Sequence, residues 1–432
     1  MKTDTFTAGA GNAGTVAVIA DTLLISPGEI SSDTWGSGDA GSIMVQARNL
    51  LVDGQGSGLA TGISSAAFEN EASSWEATGN AGDVTVTVTD TLSLFNSGSI
   101  GTSTWGAGNA GRITVQAQNL LVDGSKMNDY FTGIVSNSYA SGAGGAIIIN
   151  VADTFSILNG GQISVAARAN GNAGSMIVSA GQALNIAGGF FSTGWLSPSG
   201  VFLPSGLFAS SSGTGNAGDI FLTTYNLTLS DGSAISARSD KTTGGNLFIN
   251  AADLRLLNGG HISTSVFGDE TTTGGNVEIN SRTVLALDSS KITVKAKQGK
   301  GGNILVNADL FLHNAASIDD VLNASSESVV TGNQGSVTVN TAIDPARSVV
   351  GINRRLGDLN DANQDPCARR KGQKKSTLTK VGRGGLPADN RPEGMTVSLG
   401  GGDWMPPPDP VESAASRQEP LTLKADWDEC WL

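Results

Sequence analysis

The residues able to do chemistry are few and widely spaced. Two histidines, His261 and His313, and two cysteines, Cys367 and Cys430, are the whole imidazole and thiol complement of a 432-residue chain. The histidines fall about two repeat units apart, so they are not expected to share a metal ion. Carboxylates recur roughly once per repeat, at Asp21, Asp53, Asp90, Asp123, Asp153, Asp231, Asp253 and Asp288. A polysaccharide lyase or hydrolase needs carboxylates gathered on one face, with a Lys, Arg or His beside them. Scattered singly, these read instead as turn residues, where Asp accepts bonds from nearby backbone N–H groups. Asp319-Asp320 is a pair, but no basic residue is close to it in sequence. Gly-Gly-Asn at 244–246, 274–276 and 301–303 lacks the following Asp of a calcium-binding nonapeptide. In a chain with 59 glycines, partial matches to phosphate loops or to Gly-x-Ser-x-Gly elbows carry little weight. The residues therefore predict no catalytic centre, no metal and no cofactor.

The glycines carry a different message. Aligned on Gly-Asn-Ala-Gly and its variants, the last glycine of each signal falls at Gly14, Gly41, Gly82, Gly111, Gly145, Gly174, Gly218, Gly245, Gly275, Gly302 and Gly335. The shortest spacing is 27 residues, and longer ones read as the same unit with a loop added. Each unit opens with an alternating stretch such as Val84-Thr85-Val86-Thr87-Val88 or Ile113-Thr114-Val115-Gln116-Ala117. A second apolar stretch follows, as in Leu120-Leu121-Val122 or Leu254-Arg255-Leu256-Leu257, and a Gly-x-Ile-Ser step closes the unit, as in Gly161-Gln162-Ile163-Ser164 and Gly260-His261-Ile262-Ser263. Alternation of period two is a strand signature, and the Gly/Asn/Asp clusters between strands are turn chemistry.

Three short strands per unit cannot form a domain alone; each unit buries its inward face only by stacking on the next. The expected fold is all-β: a parallel β-helix of about eleven coils over residues 1–342, with an irregular tail over 343–432. At ~4.8 Å between stacked strands the rod is roughly 50 Å long. Inward positions are Val, Ile, Leu and Ala; outward ones are Thr, Ser, Asn and Gln. The recurrent glycines are expected to supply positive φ at the corners, and Asn12, Asn80, Asn109, Asn172 and Asn216 to stack as a ladder. The segments Asp21 to Gly54 and Asp90 to Gly124 share Thr-Trp-Gly and Asn-Leu-Leu-Val-Asp-Gly at an offset of about 70 residues. Such duplication lengthens a shaft and would disrupt one precisely built pocket.

Three insertions interrupt the pattern, at roughly 55–78, 125–142 and 187–213. The third is the most apolar and aromatic, with Phe190, Phe191, Trp195 and Phe202. It is either a recognition loop on a rigid scaffold or a flap packed back over the solenoid.

Charge divides the chain. Net charge is −13, and residues 343–432 balance 13 Lys+Arg against 13 Asp+Glu, so the repeat region holds the whole excess. An acidic shaft repels nucleic acid and anionic lipid, which argues against both as partners. No apolar window reaches the ~18 residues of a membrane span, and Met1-Lys2-Thr3-Asp4 opens no signal peptide. The first repeat signal comes by Gly11 without an evident cap, so the chain reads as the C-terminal part of a longer protein or as one begun at an internal Met. Nine of the twelve prolines lie beyond residue 342, and Arg369 to Arg383 holds seven positive charges and no acid, the pattern of a solvated tail. In an exported protein Cys367 and Cys430 could close one disulfide; two separate thiols are equally consistent with the sequence.

The Gly-Asn-Ala-Gly units with their Gly-x-Ile-Ser steps resemble the filamentous haemagglutinin-like exoproteins of two-partner secretion systems. Asp365-Pro366-Cys367-Ala368-Arg369, Ser376-Thr377-Leu378 and Gly382-Arg383-Gly384-Gly385-Leu386-Pro387 are similar to the C-terminal signature of many such proteins. The resemblance covers about residues 9 to 390. It implies a right-handed β-helix, export through an outer-membrane transporter partner, and a secreted or bacterial cell-surface location. It further implies adhesion to host-cell or neighbouring-cell surface glycans or proteins. The family's N-terminal secretion domain, with its Asn-Pro-Asn-type motifs, is not found in this chain.

Overall fold

A computed structural model of the chain describes residues 2–5, 11–55, 61–68, 78–125, 131–192, 201–328 and 334–342. The described residues form a parallel β-solenoid of about ten turns. Eleven long rungs make one wall. They are Val16–Ile25, Ile43–Asp53, Val84–Phe95, Ile113–Asp123, the pair Ile147–Val151 and Thr154–Leu158, Met176–Ala187, Ile220–Ser230, Leu247–Leu256, Val277–Ala286, Asn303–His313 and Ser336–Thr341. Numbering coils by these rungs, each of the first ten continues into a short strand of a second wall, from Glu29–Thr34 in coil 1 to Leu322–Asn323 in coil 10. Lys2–Thr5 pairs in parallel with Glu29–Thr34, so stacking begins before the first glycine signal. A third wall is a file of single parallel bridges running from Thr34 through Ala67, Thr104, Ser138 and Ala167 to Ser326. The tail segments, Cys367 and Cys430 lie outside the described residues.

The two apolar stretches of each unit form one bent strand instead of two. In Ile113–Asp123 the inward residues are Ile113, Val115 and Ala117, then Leu120 and Val122. The step of three after Ala117 reverses the alternation and turns the strand through a corner; neighbouring rungs shift register at the same place. Only in coil 5 does the bend part the rung into two strands. The core is one continuous column of Ile, Val, Leu and Ala, closed on the short wall by Ile30, Ile63, Ile100, Ile134, Ile163 and their successors.

The signal glycines do something other than supply positive φ. A Cβ on any of Gly41, Gly82, Gly111, Gly145, Gly174, Gly218, Gly245, Gly275, Gly302 or Gly335 would strike the carbonyl oxygen of the signal glycine one coil before. Coils approach so closely here that only hydrogen fits. The gap is sealed by hydroxyls pointing inward: Ser65 Oγ donates to Gly41 O at 2.7 Å, and Thr102 and Ser136 donate to Gly111 O at 2.8 and 2.6 Å. Positive φ occurs instead at the turn from the long wall to the short one, in Asn159-Gly160, Asp231-Gly232, Asn258-Gly259 and Asp288-Ser289. Asn, Asp and Gly tolerate that region best, and consecutive positive φ is the type I′ geometry.

The asparagine ladder is present in two runs, with Asp39 in the file and Ala143 breaking it between Asn109 and Asn172. Asp39 N–H donates to Asn12 Oδ1, Asn80 N–H to Asp39 Oδ1, Asn109 N–H to Asn80 Oδ1, and Asn216 N–H to Asn172 Oδ1, all at 2.8–2.9 Å. A second file joins Asn250, Asn280, Asn307 and Asn340 on the long wall. At the turn the files alternate: Asn96 Nδ2 donates to Asp53, Asn159 to Asp123, Asn258 to Asp231 and Asn314 to Asp288, at 2.9–3.0 Å. Alternating Asp with Asn keeps carboxylates out of adjacent coils and sets a two-coil period, the same period as the 70-residue duplication.

The insertions are also redistributed. Thr61–Ser64, Gly133–Val135 and Gly206–Phe208 are regular short-wall strands inside the stretches read as insertions. Of what remains, extra chain between the long and short walls falls in coils 2, 4, 6 and 10, and coil 2 adds a longer stretch between Ala67 and Gly82. The coil-10 insertion carries the one helix among the described residues, the 3-10 turn Ile318–Asp320, capped by Ser317 and Asp320.

Candidate functional site

The coil-6 insertion builds the most prominent projection among the described residues. Gly188, at φ 69°, leaves the end of Met176–Ala187, and Gly189–Ser192 pairs antiparallel with Val201–Pro204. This is the only antiparallel pairing among the described residues. Its base is fastened to the stack. Ser205 N–H donates to Gly188 O at 2.9 Å, Gln162 Nε2 donates to Pro204 O at 3.1 Å, and Ser205 Oγ accepts from Gly160 N–H at 2.8 Å while donating to Ala187 O at 2.7 Å. Gly189 is favoured because a Cβ there would meet the Leu203 carbonyl oxygen at 2.6 Å as well as the edge of the Phe202 ring.

Two of the four aromatic residues singled out in this loop, Phe191 and Phe202, are therefore brought together, and Phe190 lies on the alternate face of the strand. Phe191 and Phe202 have ring centroids 5.0 Å apart at 56°, Phe190 is half-buried, and Phe191 is 66% exposed. Trp195 lies outside the described residues. A large apolar side chain held that far into water by a hydrogen-bonded base can bury area only against something else. It offers hydrophobic and ring contact and no acid–base chemistry.

The scattered carboxylates behave as turn and surface groups. Asp53 and Asp123 accept from the N–H of Gln55 and Ser125 at 2.9 Å. Arg48 holds the Asp21 carboxyl below the usual range through a two-point pair at 2.8 Å, and Arg282 binds Asp253 at 2.7 Å. Asp319-Asp320 is not as isolated as it looks in sequence. Where Asn314–Val321 swings out of the stack, a cleft of about 340 Å³ opens over the coil-9 turn, lined by Asp288, Lys291, Asn314 and Asp320. Two carboxylates and one amine thus share a groove. No three His, Cys, Asp or Glu side chains gather as a metal site among the described residues.

The histidines stay apart, on different walls. His261 is half-buried at the start of His261–Ser263, its Nε2 3.1 Å from Thr293 Oγ1. Burial first, then the charges of Lys291 and Lys295, push its pKa down to about 4. His313 ends Asn303–His313 beside Phe311, with ring centroids 5.9 Å apart.

One aromatic feature escaped the sequence reading. Trp35, Phe68, Trp105 and Tyr139 stack coil upon coil, with centroids 4.5, 4.7 and 4.8 Å apart and planes within 21°. The Arg168 guanidinium covers the far face of Tyr139 at 5.1 Å. The repeated Thr-Trp-Gly was its visible signal. Because the ring faces are spent on one another, the ladder serves stacking between coils better than it could serve a flat ligand.

Among the described residues no helix is long and apolar enough to cross a membrane. No protein-family model, curated protein or solved structure matches the chain.

Proposed function

We propose that the protein is an exported surface adhesin, in keeping with its resemblance to filamentous haemagglutinin-like exoproteins, in which the solenoid is a stiff shaft and the coil-6 hairpin a contact element. Its targets are glycans or proteins on host or neighbouring cells, and an outer-membrane transporter is its export partner. The observation that carries the reading is Phe191, held exposed on a hairpin whose base is bonded into the wall. Rigid presentation lowers the ordering cost of binding, and exposed aromatic residues are the usual energetic anchors of recognition. The repeat region also has no cysteine, which suits passage through a pore in an unfolded state. The test is attachment of cells or beads displaying the chain, with Phe190→Ser/Phe191→Ser as the variant. Attachment is expected to fall at least tenfold while the circular dichroism spectrum is unchanged. Undiminished attachment would leave the shaft as a mere spacer.

A second reading, a polysaccharide-processing enzyme, is supported by the Asp288–Lys291–Asp320 cleft. It predicts depolymerisation of an acidic or neutral glycan that disappears in Asp320→Asn.

A further inference from the structure

The shaft is acidic, yet its few cations are not spread evenly. Of 13 Lys+Arg in residues 1–342, four fall between 291 and 300, in the stretch Lys291-Ile-Thr-Val-Lys295-Ala-Lys297-Gln-Gly-Lys300. The period-two pattern directs them. Ile292, Val294 and Ala296 are fully buried in the core, so Lys291, Lys295 and Lys297 face outward along coil 9, while Thr293 between them is buried at 6% exposure. All four lysines are exposed. None has a carboxylate partner among the described residues, unlike Arg48, Arg238 and Arg282, which are paired.

Outward neighbours in coil 8 are polar and uncharged or ring-bearing. His261 lies directly beside Lys291, and Ser263 beside Thr293. Thr293 Oγ1 donates to Ser263 Oγ at 3.2 Å. One coil further, Arg238 lies 4.1 Å over the Phe267 ring and is neutralised by Asp240 at 2.8 Å. Acids do flank the row, at Asp288 beside Lys291 in the coil-9 cleft and at Asp320 and Glu327 in coil 10, but none comes within ion-pair distance of a lysine. At ~3.3 Å per residue, Lys291 to Lys297 span at most about 20 Å. The result is a row of exposed ammonium groups, none in an ion pair, that passes from the short wall at Lys291 to the bridge file at Lys297.

We propose that this coil-9 row, Lys291, Lys295 and Lys297, is a binding site for a linear acidic polysaccharide lying across the shaft along coil 9. Its carboxylate or sulfate groups pair with the ammonium groups. Nucleic acid fits less well. The phenyl ring beside the row, that of Phe267, already has a face covered by Arg238, so the site offers no stacking platform of the kind single-stranded nucleic acid uses. The site stands on a different wall feature from the Phe191 hairpin and does not depend on it.

The experiment titrates the full chain at low salt with fluorescein-labelled polygalacturonate and, separately, dextran sulfate, with a 20-nucleotide single-stranded DNA as comparator. Lys291→Gln/Lys295→Gln/Lys297→Gln is set against Arg255→Gln, an exposed cation on the long wall. Saturable, salt-sensitive binding of at least one polysaccharide, weakened tenfold or more by the triple variant and unchanged by Arg255→Gln, supports the site; which polymer binds tells carboxylate from sulfate. Lys291→Arg/Lys295→Arg/Lys297→Arg keeps the charge and is expected to retain binding, which separates a lost site from a misfolded coil. No binding of either polysaccharide, equal loss in Arg255→Gln, or tighter binding of the DNA overturns the proposal. Loss of attachment in the hairpin variant leaves this result untouched, so the two readings fail separately.

Discussion

Two corners of the same solenoid follow opposite rules. At the signal-glycine corner, successive coils touch backbone to backbone, and each Gly from Gly41 to Gly335 fills a place where a single methyl would meet a carbonyl oxygen. At the turn from the long wall to the short one, the left-handed residue has room: a Cβ on Gly259 would meet nothing nearer than 3.9 Å, and what the backbone asks for there is positive φ. One residue on, a Cβ on Gly260 would meet Leu229 O at 2.6 Å. The first corner fixes one residue type. The second accepts Asn, Asp, Ser or Gly at its left-handed positions, and coils 2, 4, 6 and 10 insert chain there. The proposed hairpin contact therefore stands at the corner that does not close the stack.

Substitution sharpens that contrast. Gly111→Ala should cost about 3 kcal/mol, the upper end for overpacking, because the obstructing atom is backbone and cannot rotate away. Gly259→Asn at the turn should cost no more than about 1 kcal/mol, since Asn tolerates left-handed φ. Urea unfolding of both variants checks the pair, and equal costs would dissolve the distinction between the corners.

Just beyond the turn, His261 makes the permissive side pH-sensitive. Its folded pKa of about 4 lies below the unfolded 6.5, so the unfolded state binds the proton first. The contribution of the neutral ring is complete above pH 6.5 and is lost as pH falls toward 4, by about 3 kcal/mol in total. In unfolding measured from pH 7 to 4, His261→Gln should remove that part of the slope and leave the rest.

A smaller effect is expected at Ser289. It holds φ 65° where Gly160, Gly232 and Gly259 occupy the equivalent turns, so Ser289→Gly should stabilise by about 1 kcal/mol. Destabilisation would show that the Ser289 side chain supports the cleft beside it.

Much of this was legible in the sequence. The inward Ile and Val at period two, spaced by a 27-residue floor, gave the stack and its core. The glycines marked a corner correctly but for the wrong reason, because close approach and positive φ both select glycine and a sequence does not say which. The Trp35–Tyr139 ladder changes residue from coil to coil, Trp, Phe, Trp and Tyr, so it showed only as the repeated Thr-Trp-Gly. Asp320 and Lys291 share a cleft only because stacking brings together residues 29 apart. The aromatic loop was found by composition alone, but its antiparallel pairing and its Gly189–Phe202 contact depend on where the turn corner lies.

The most direct test of a shaft that bears recognition at its permissive corner is to remove the hairpin. Replacing residues 188–204 by Asn-Gly, the pair used at Asn258-Gly259, restores the length of an ordinary turn. The account predicts that the urea midpoint stays within the error of the parent protein while cell or bead attachment is lost. A collapse of stability, or attachment equal to that of the parent, would contradict it.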